Sequence, residues 1–261
     1  MKSGSRSLRL IGAYGPAFVL LVALLFLWQL YVQFSRISNQ VLPAPLAILQ
    51  ALGLNWDIIE GHTLQTLLET VLGMASATLV GLLLAIVLNL SSWVRKAVYP
   101  LLIISQTIPI IALAPLLLIW FGYDLGPKVL LITIYCFFPI SVAVADGLSA
   151  AEPELINLLK SMRASRWQVL WLVQLPGAMP SFFSGLRIAV TYSVTGAIFS
   201  EYIGGAAGLG IYMQTSVNSR AIVLVFASIL VVTILSLLLF GLVALIERIA
   251  LPWYHASARR L

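Results

Sequence analysis

Tyr192, Thr195, Phe199 and Tyr202 follow one another at steps of three and four residues, which on an α-helix gathers aromatic rings and hydroxyls on one face. Such a face can stack on a flat ring and hydrogen-bond it weakly, a contact suited to something that must be released again. Glu201 stands beside it, at the end of a stripe of small residues, Gly185, Ala189, Ser193 and Ala197. An ionisable group near the end of an apolar helix either has a role or simply reaches headgroup water. A second polar cluster, Ser105, Gln106 and Thr107, precedes Pro109; it either lines a water-filled path or bonds neighbouring helices.

Residues 146–180 carry a different pattern. Pro153 suits a first helical position, and Glu152 and Glu154 put negative charge at the helix N-terminus. Leu155, Leu158, Leu159 and Met162 recur at the spacing of one apolar face, which predicts an amphipathic helix too short to span a bilayer. Ser165 and Gln168 have the spacing of a capping box, so a second short helix is expected to start near Arg166 and stop before Pro176. Its exposed cargo is Arg166, Trp167 and Trp171. This insert reads equally as a helix lying on lipid headgroups or as a docking helix for a soluble partner.

Several chemistries are excluded. Lysine occurs only at 2, 96, 128 and 160, never after glycine, so no phosphate-binding G-x-x-x-x-G-K-[ST] loop exists and the chain is not expected to be an ATP-hydrolysing enzyme. His62 and His255 cannot form an H-E-x-x-H metal site, and Ser184 lacks a nucleophile-elbow context. Glycines 204, 205, 208 and 210 follow a membrane-type helix, not a strand, which rules out a dinucleotide fingerprint. Cys136 is the lone cysteine, so disulfides and cysteine metal sites are out. No metal or cofactor is expected on this chain.

Composition places these features in a bilayer. Apolar residues make up 61% and charged residues 9%, against about 25% charged in soluble domains, and the mean hydropathy is +1.04. The sequence predicts an all-α integral membrane protein with six helices, at 14–34, 64–90, 98–121, 127–145, 182–202 and 222–246. Twelve basic residues, from Lys2 to Arg260, fall on the side of the termini, and three, Arg36, Lys128 and Arg220, on the other. Both termini and the insert are therefore expected in the cytoplasm. The net charge of +6 is accounted for by a membrane surface and needs no nucleic acid. Residues 1–61 read as a peripheral helix with an external connector, 62–247 as the core and 248–261 as a cytoplasmic tail. Two small-residue stripes, Gly73, Ala77, Gly81, Ala85 and the one ending at Glu201, make the second and fifth helices the expected centre of the bundle.

The insert resembles the cytoplasmic signature of bacterial ABC importer permeases, E-A-A, three residues, G, then about nine residues to I-x-L-P. Here it runs from Asn157 through Arg163, Ala164, Ser165, Arg166 and Trp167 to Leu175 and Pro176, with Asn157 at the family's glutamate and Arg163 at its glycine. Gln106-Thr107-Ile108-Pro109, Trp120-Phe121-Gly122, Lys128, Phe138-Pro139, Ser184-Gly185-Leu186-Arg187, Glu201 and Gly208-Leu209-Gly210 are similar to the branch that imports nitrate, sulfonates, taurine and pyrimidine thiamine precursors. An asparagine common in that branch is Ala143 here. Phe183-Ser184-Gly185-Leu186, Thr191-Tyr192-Ser193 and Pro252-Trp253-Tyr254 look most like permeases for hydroxymethylpyrimidine-type precursors.

The resemblance implies a type I ABC importer permease fold in the bacterial inner membrane. The chain would work as a homodimer with two cytoplasmic ATPase subunits, which bind ATP and Mg, and an extracytoplasmic solute-binding protein. Residues 163–167, with Asn157, Leu175 and Pro176, would couple to the ATPase. Gln106, Tyr192 and Thr195 would contact solute, Phe199 and Tyr202 would narrow a gate, and Glu201 would hold it by bonding the loop 204–210. An importer for sulfonate, taurine or nitrate is the alternative within the class. An ion-coupled secondary transporter is less favoured, because the strictly acidic intramembrane candidates are Glu69 and Glu201, both near helix ends.

Overall fold

The structure is a computed structural model that describes residues 4–35 and 37–257, with side chains over 15–35 and 37–254. Lys2, Arg36, Arg259 and Arg260, four of the charges behind the predicted orientation, lie outside the described residues. Among the described residues every regular element is helical: α1 (Gly4–Ser35), α2 (Pro45–Leu54), α3 (Trp56–Leu90), α4 (Ser92–Ser105), α5 (Ile110–Phe121), α6 (Leu125–Ser149), α7 (Pro153–Ser161), α8 (Arg166–Val169), α9 (Leu175–Gly204), α10 (Leu209–Asn218), α11 (Ile222–Ala250) and α12 (Pro252–Ser257). They form two compact units. One comprises the chain up to Ile59 with Met213–Leu230; the other comprises Glu60–Tyr212 and the chain from Val231 onward.

In the first unit Trp28 of α1 packs on Phe226 at a ring separation of 6.1 Å, and Gln29 Oε1 accepts the Leu46 N–H at 3.2 Å, near the start of α2. The stretch 35–61, expected to be a connector, thus contains a helix of its own and the beginning of α3. Pro45 explains the start of α2, since its missing N–H costs nothing at a first helical position.

Among the described residues five helices are long and apolar enough to cross a membrane, and α4 with α5 makes a sixth only as a pair bent by 95°. The span expected at 98–121, with its three prolines, is therefore broken. Pro109 lacks an N–H and disfavours helix at the residue before it, which ends α4 there. Ser105 and Thr107 donate their hydroxyls to Leu102 O and Ile104 O, both at 2.7 Å, so these two side chains serve the turn itself and not a neighbouring helix.

The core of the second unit is built where α6 packs along α9, the fifth span that one stripe marked, and the second span, α3, is keyed against α6. Leu131, Ile132, Cys136, Ile140, Val144 and Leu148 of α6 are all buried, and both stripes press against it. Ile132 and Ile140 fill the notches at Gly73 and Gly81. On α9, a Cβ at Gly185 would stand 2.7 Å from Pro139 O, so glycine is what lets α9 approach the α6 backbone. The stripe on α9 marks a helix at the centre, whereas the stripe on α3 marks one that the isoleucines of α6 key into.

Candidate functional site

Three places in the second unit gather the chemistry-bearing residues. The first is a buried polar knot at the end of α9. Glu201 is fully buried; its Oε1 accepts from Thr66 Oγ1 at 2.7 Å and its Oε2 from the Gly210 N–H at 2.6 Å. Thr66 Oγ1 in turn accepts from the Leu209 N–H at 2.9 Å, and His62 Nδ1 accepts from the Gly208 N–H at 3.0 Å. Three successive N–H groups that open α10, which have no partners within their own helix, are thus satisfied by side chains from α3 and α9. Gly208 has φ +118°, and a Cβ there would run into the Glu201 carboxylate, so the loop can close on that carboxylate only as glycine.

One helical turn along α3, Glu69 pairs with Lys128 of α6 at 2.6 Å and accepts from Gln65 Nε2 at 2.8 Å. Both partners are nearly inaccessible, with side chains 0% and 5% exposed. The sequence counted Lys128 among charges at the membrane surface and left Glu201 either bonded to the loop 204–210 or reaching headgroup water; the structure buries both side chains and bonds Glu201 to Gly210 of that loop. A lone charged side chain in an apolar interior is costly, and Glu69 and Lys128 each compensate the other. A polar run at 65, 66, 69 and 70 within an apolar span was the available signal for this knot.

The second place is the open face of α9. Tyr192, Thr195 and Tyr202 are exposed and Phe199 is half-buried, as one face, whereas Glu201 points to the opposite side. Tyr135 of α6, which sequence reasoning missed, packs on Tyr192 with ring centroids 5.1 Å apart and planes tilted by 31°, and shares with Gln106 the lining of a cavity of about 20 Å³. That volume holds about one water. Gln106, Tyr135 and Tyr192 are thereby linked through three helices.

The third place is the insert. α7 has no buried residue, and Leu155, Leu158, Met162 and Trp167 are exposed. Arg163 takes φ +59°, with Arg163 N–H bonded to Lys160 O and Ala164 N–H to Leu159 O, so a Schellman turn closes α7 with arginine in the position that glycine favours. Ser165 and Gln168 form the capping box, at 2.7 and 3.3 Å. The second short helix does not stop before Pro176. It continues through a π-helical turn, Leu170–Gln174, in which the Leu175 N–H reaches back to Leu170 O, and runs on into α9. The widened turn accommodates the bulk and missing donor of a proline that would otherwise break the helix. Residues 163–167 form a tip, while Leu175 and Pro176 lie about 13 Å farther along the same helix. Gln174 ties this helix to Asn89 at 3.1 Å and to Leu148 O at 3.3 Å, and Arg95 binds Asp146 at 2.9 Å and Ser149 at 2.5 Å. A cavity of about 430 Å³ opens beside the tip, lined by Asn89, Ile156, Lys160, Ala164, Arg166 and Gln174 among others.

Residues 77–250, two thirds of the chain, match the model of the binding-protein-dependent transport system inner membrane component family. The chain belongs to that family. It is the permease component of an ABC importer, and membership implies a solute-binding partner and an ATPase. Among relatives, a "Probable ABC transporter permease protein" of Haemophilus influenzae is 37% identical over 83% of this chain and 89% of that protein. The formylaminopyrimidine transport permease protein ThiX of Halalkalibacterium halodurans is 35% identical over 88% and 92%, and the taurine transport system permease protein TauC of Escherichia coli 33% over 90% and 88%. The fold is shared with the inward-facing MetNI methionine ABC transporter, TM-score 0.66 at 20% identity over 75% of this permease and 97% of that chain. It is shared also with an amino acid ABC transporter solved with histidines, TM-score 0.63 at 18% identity over 76% and 97%.

Proposed function

We propose that two copies of this permease form the membrane path of an importer for an uncharged pyrimidine thiamine precursor such as hydroxymethylpyrimidine. Two cytoplasmic ATPase subunits, holding ATP and Mg, supply the energy, and an extracytoplasmic binding protein delivers the solute. The 35% identity to ThiX across nearly the whole chain carries the solute assignment. Tyr192 on the open face of α9, packed against Tyr135 of α6, supports it, since phenol rings offer a flat heteroaromatic a surface to stack on. Tyr192, Thr195 and Gln106 contact the solute in this reading, and Phe199 and Tyr202 narrow the gate. Glu201 fixes the gate through its bonds to Thr66 and Gly210. The identity to TauC favours a second reading, a sulfonate solute.

The insert is the energy input in this reading. Asn157, Arg163, Ala164, Ser165, Arg166 and Trp167 dock on the ATPase, with Leu175 and Pro176 carrying the load onward. ATP binding moves the path only if the docked insert differs in free energy between the two states of the permease. Both termini and the insert lie in the cytoplasm. Single-cysteine labelling in a Cys136-free background should then reach Asn39 and Ser219 from outside and Ser161 only from inside; labelling of Ser161 from outside would end the coupling role. Uptake into vesicles holding the permease, ATPase and binding protein tests the solute. Labelled hydroxymethylpyrimidine should accumulate with ATP, and Tyr192→Ala or Thr195→Val should lower uptake while ATPase activity stays. Accumulation of taurine alone would establish the second reading instead.

A further inference from the structure

Arg187 lies on α9, inside a span, and its Nη2 forms an ion pair with Glu247 Oε2 of α11. The glutamate side chain is 5% exposed and the arginine 34%. Arg187 Nε is buried without an acceptor. Arginine and Ser184 together line two adjoining cavities. One, about 510 Å³, also involves Asp146, Ser181 and Tyr254; the other, about 400 Å³, involves Thr191, Tyr192 and Phe240. An arginine with unused donors is too costly to face hydrocarbon, which points this groove toward water.

The charges in the groove cancel in pairs. Glu247 offsets Arg187, and Arg95 offsets Asp146. An anion path needs positive charge that is not already spoken for. What the groove offers instead is hydrogen bonding. Ser184 and Thr191 donate their protons to Pro180 O and Arg187 O, at 3.0 and 3.4 Å, which leaves their oxygen lone pairs as acceptors. The remaining Arg187 N–H groups are donors, and Tyr192 and Phe240 are flat surfaces. Adjacent donors and acceptors between rings match a neutral aminopyrimidine, whose ring nitrogen accepts beside an amino group that donates.

We propose that the groove around Ser184, Arg187 and Tyr192 is a weak subsite for an uncharged aminoheterocycle, and that Glu247 sets its selectivity by cancelling the Arg187 charge. This rests on the pyrimidine reading above. Glu247 is a positioning residue: without it, Arg187 becomes an anion trap.

The test uses the whole complex in vesicles, with its binding protein and with ATP inside. In the natural permease, millimolar hydroxymethylpyrimidine on the ATP side should slow uptake of labelled hydroxymethylpyrimidine by occupying the subsite, whereas nitrate at the same concentration should not. In assembled Glu247→Gln, nitrate on the ATP side should become inhibitory, with an apparent affinity gain of about tenfold. Arg187→Gln with Glu247→Gln should abolish that nitrate sensitivity, which a merely structural pair would never acquire. Absence of any hydroxymethylpyrimidine import overturns the pyrimidine reading and this inference with it. Import with no slowing by internal hydroxymethylpyrimidine overturns the inference alone, even if Glu247→Gln fails to assemble. Nitrate indifference in an assembled Glu247→Gln complex does the same.

Discussion

The polar knot around Glu201 and the insert around Trp167 invert one another. In the knot, carboxylates and an ammonium sit inside with a half-buried imidazole at their edge, and each group bonds a partner from another segment of the same chain. In the insert, leucines, a methionine and a tryptophan are exposed, and among the described residues none buries them. A buried charge has its compensation within the fold; an exposed apolar row on a membrane protein's polar insert has its complement elsewhere. The first region should therefore govern stability and the second association, and substitutions can pull the two apart.

The largest effect belongs to the ion pair. Lys128→Met strands Glu69 in the interior and should lower stability by about 3–5 kcal/mol, read as a shifted unfolding midpoint of the detergent-purified permease. Lys128→Met combined with Glu69→Leu should recover most of that loss, since an apolar pair of similar volume replaces a desolvated one. Failure of the double variant to recover would mean that the pair is needed for more than compensation. Next comes Glu201→Gln, which replaces one of the two carboxyl oxygens that accept from Thr66 and Gly210 and so leaves a buried donor without its acceptor, at a cost of about 1–3 kcal/mol. Amide exchange at Leu209–Asn218 should speed up, and uptake should fall while ATPase activity persists.

In the insert the pattern reverses. Arg166→Glu with Trp167→Ala should weaken ATPase binding by about 2 kcal/mol or more, while the unfolding midpoint stays where it was. Unchanged ATPase affinity would make α7 and α8 a lipid-surface feature. The smallest effect is Arg163→Gly. Relief of the left-handed arginine, offset by a more flexible unfolded chain, should leave a gain below about 1 kcal/mol, visible as slower exchange of the Ala164 amide.

Local features were legible in the sequence. The six apolar segments, α7 with Pro153 at its start and the Ser165–Gln168 box all depend on neighbours within a few residues. What required the structure was pairing over distance. Glu69 and Lys128 are separated by 59 positions, and no periodicity says which helix a lysine near the start of α6 will meet. The same holds for the central place of α6, which lacks the clean small-residue stripe of its neighbours because it supplies the isoleucines that fill their notches. Pro109 marked a disturbance but not a 95° bend, and Pro176 marked an ending that the π-turn removed. Prolines announce that a hydrogen bond is missing; the surrounding helices decide whether the chain turns or continues.

Because the chain runs helically from Arg166 to Gly204, 39 residues, the insert's tip and the Glu201 end are opposite ends of one rod about 60 Å long. A rod converts a small tilt at one end into a displacement at the other that grows with its length. The five-residue π-turn at Leu170–Gln174 sits about a sixth of the way along and ends at Gln174, which anchors the rod to Asn89 and Leu148. A stiff arm with its pivot near the loaded end trades force for travel, so a shift of an ångström at Trp167 suffices for a much larger one at Tyr202.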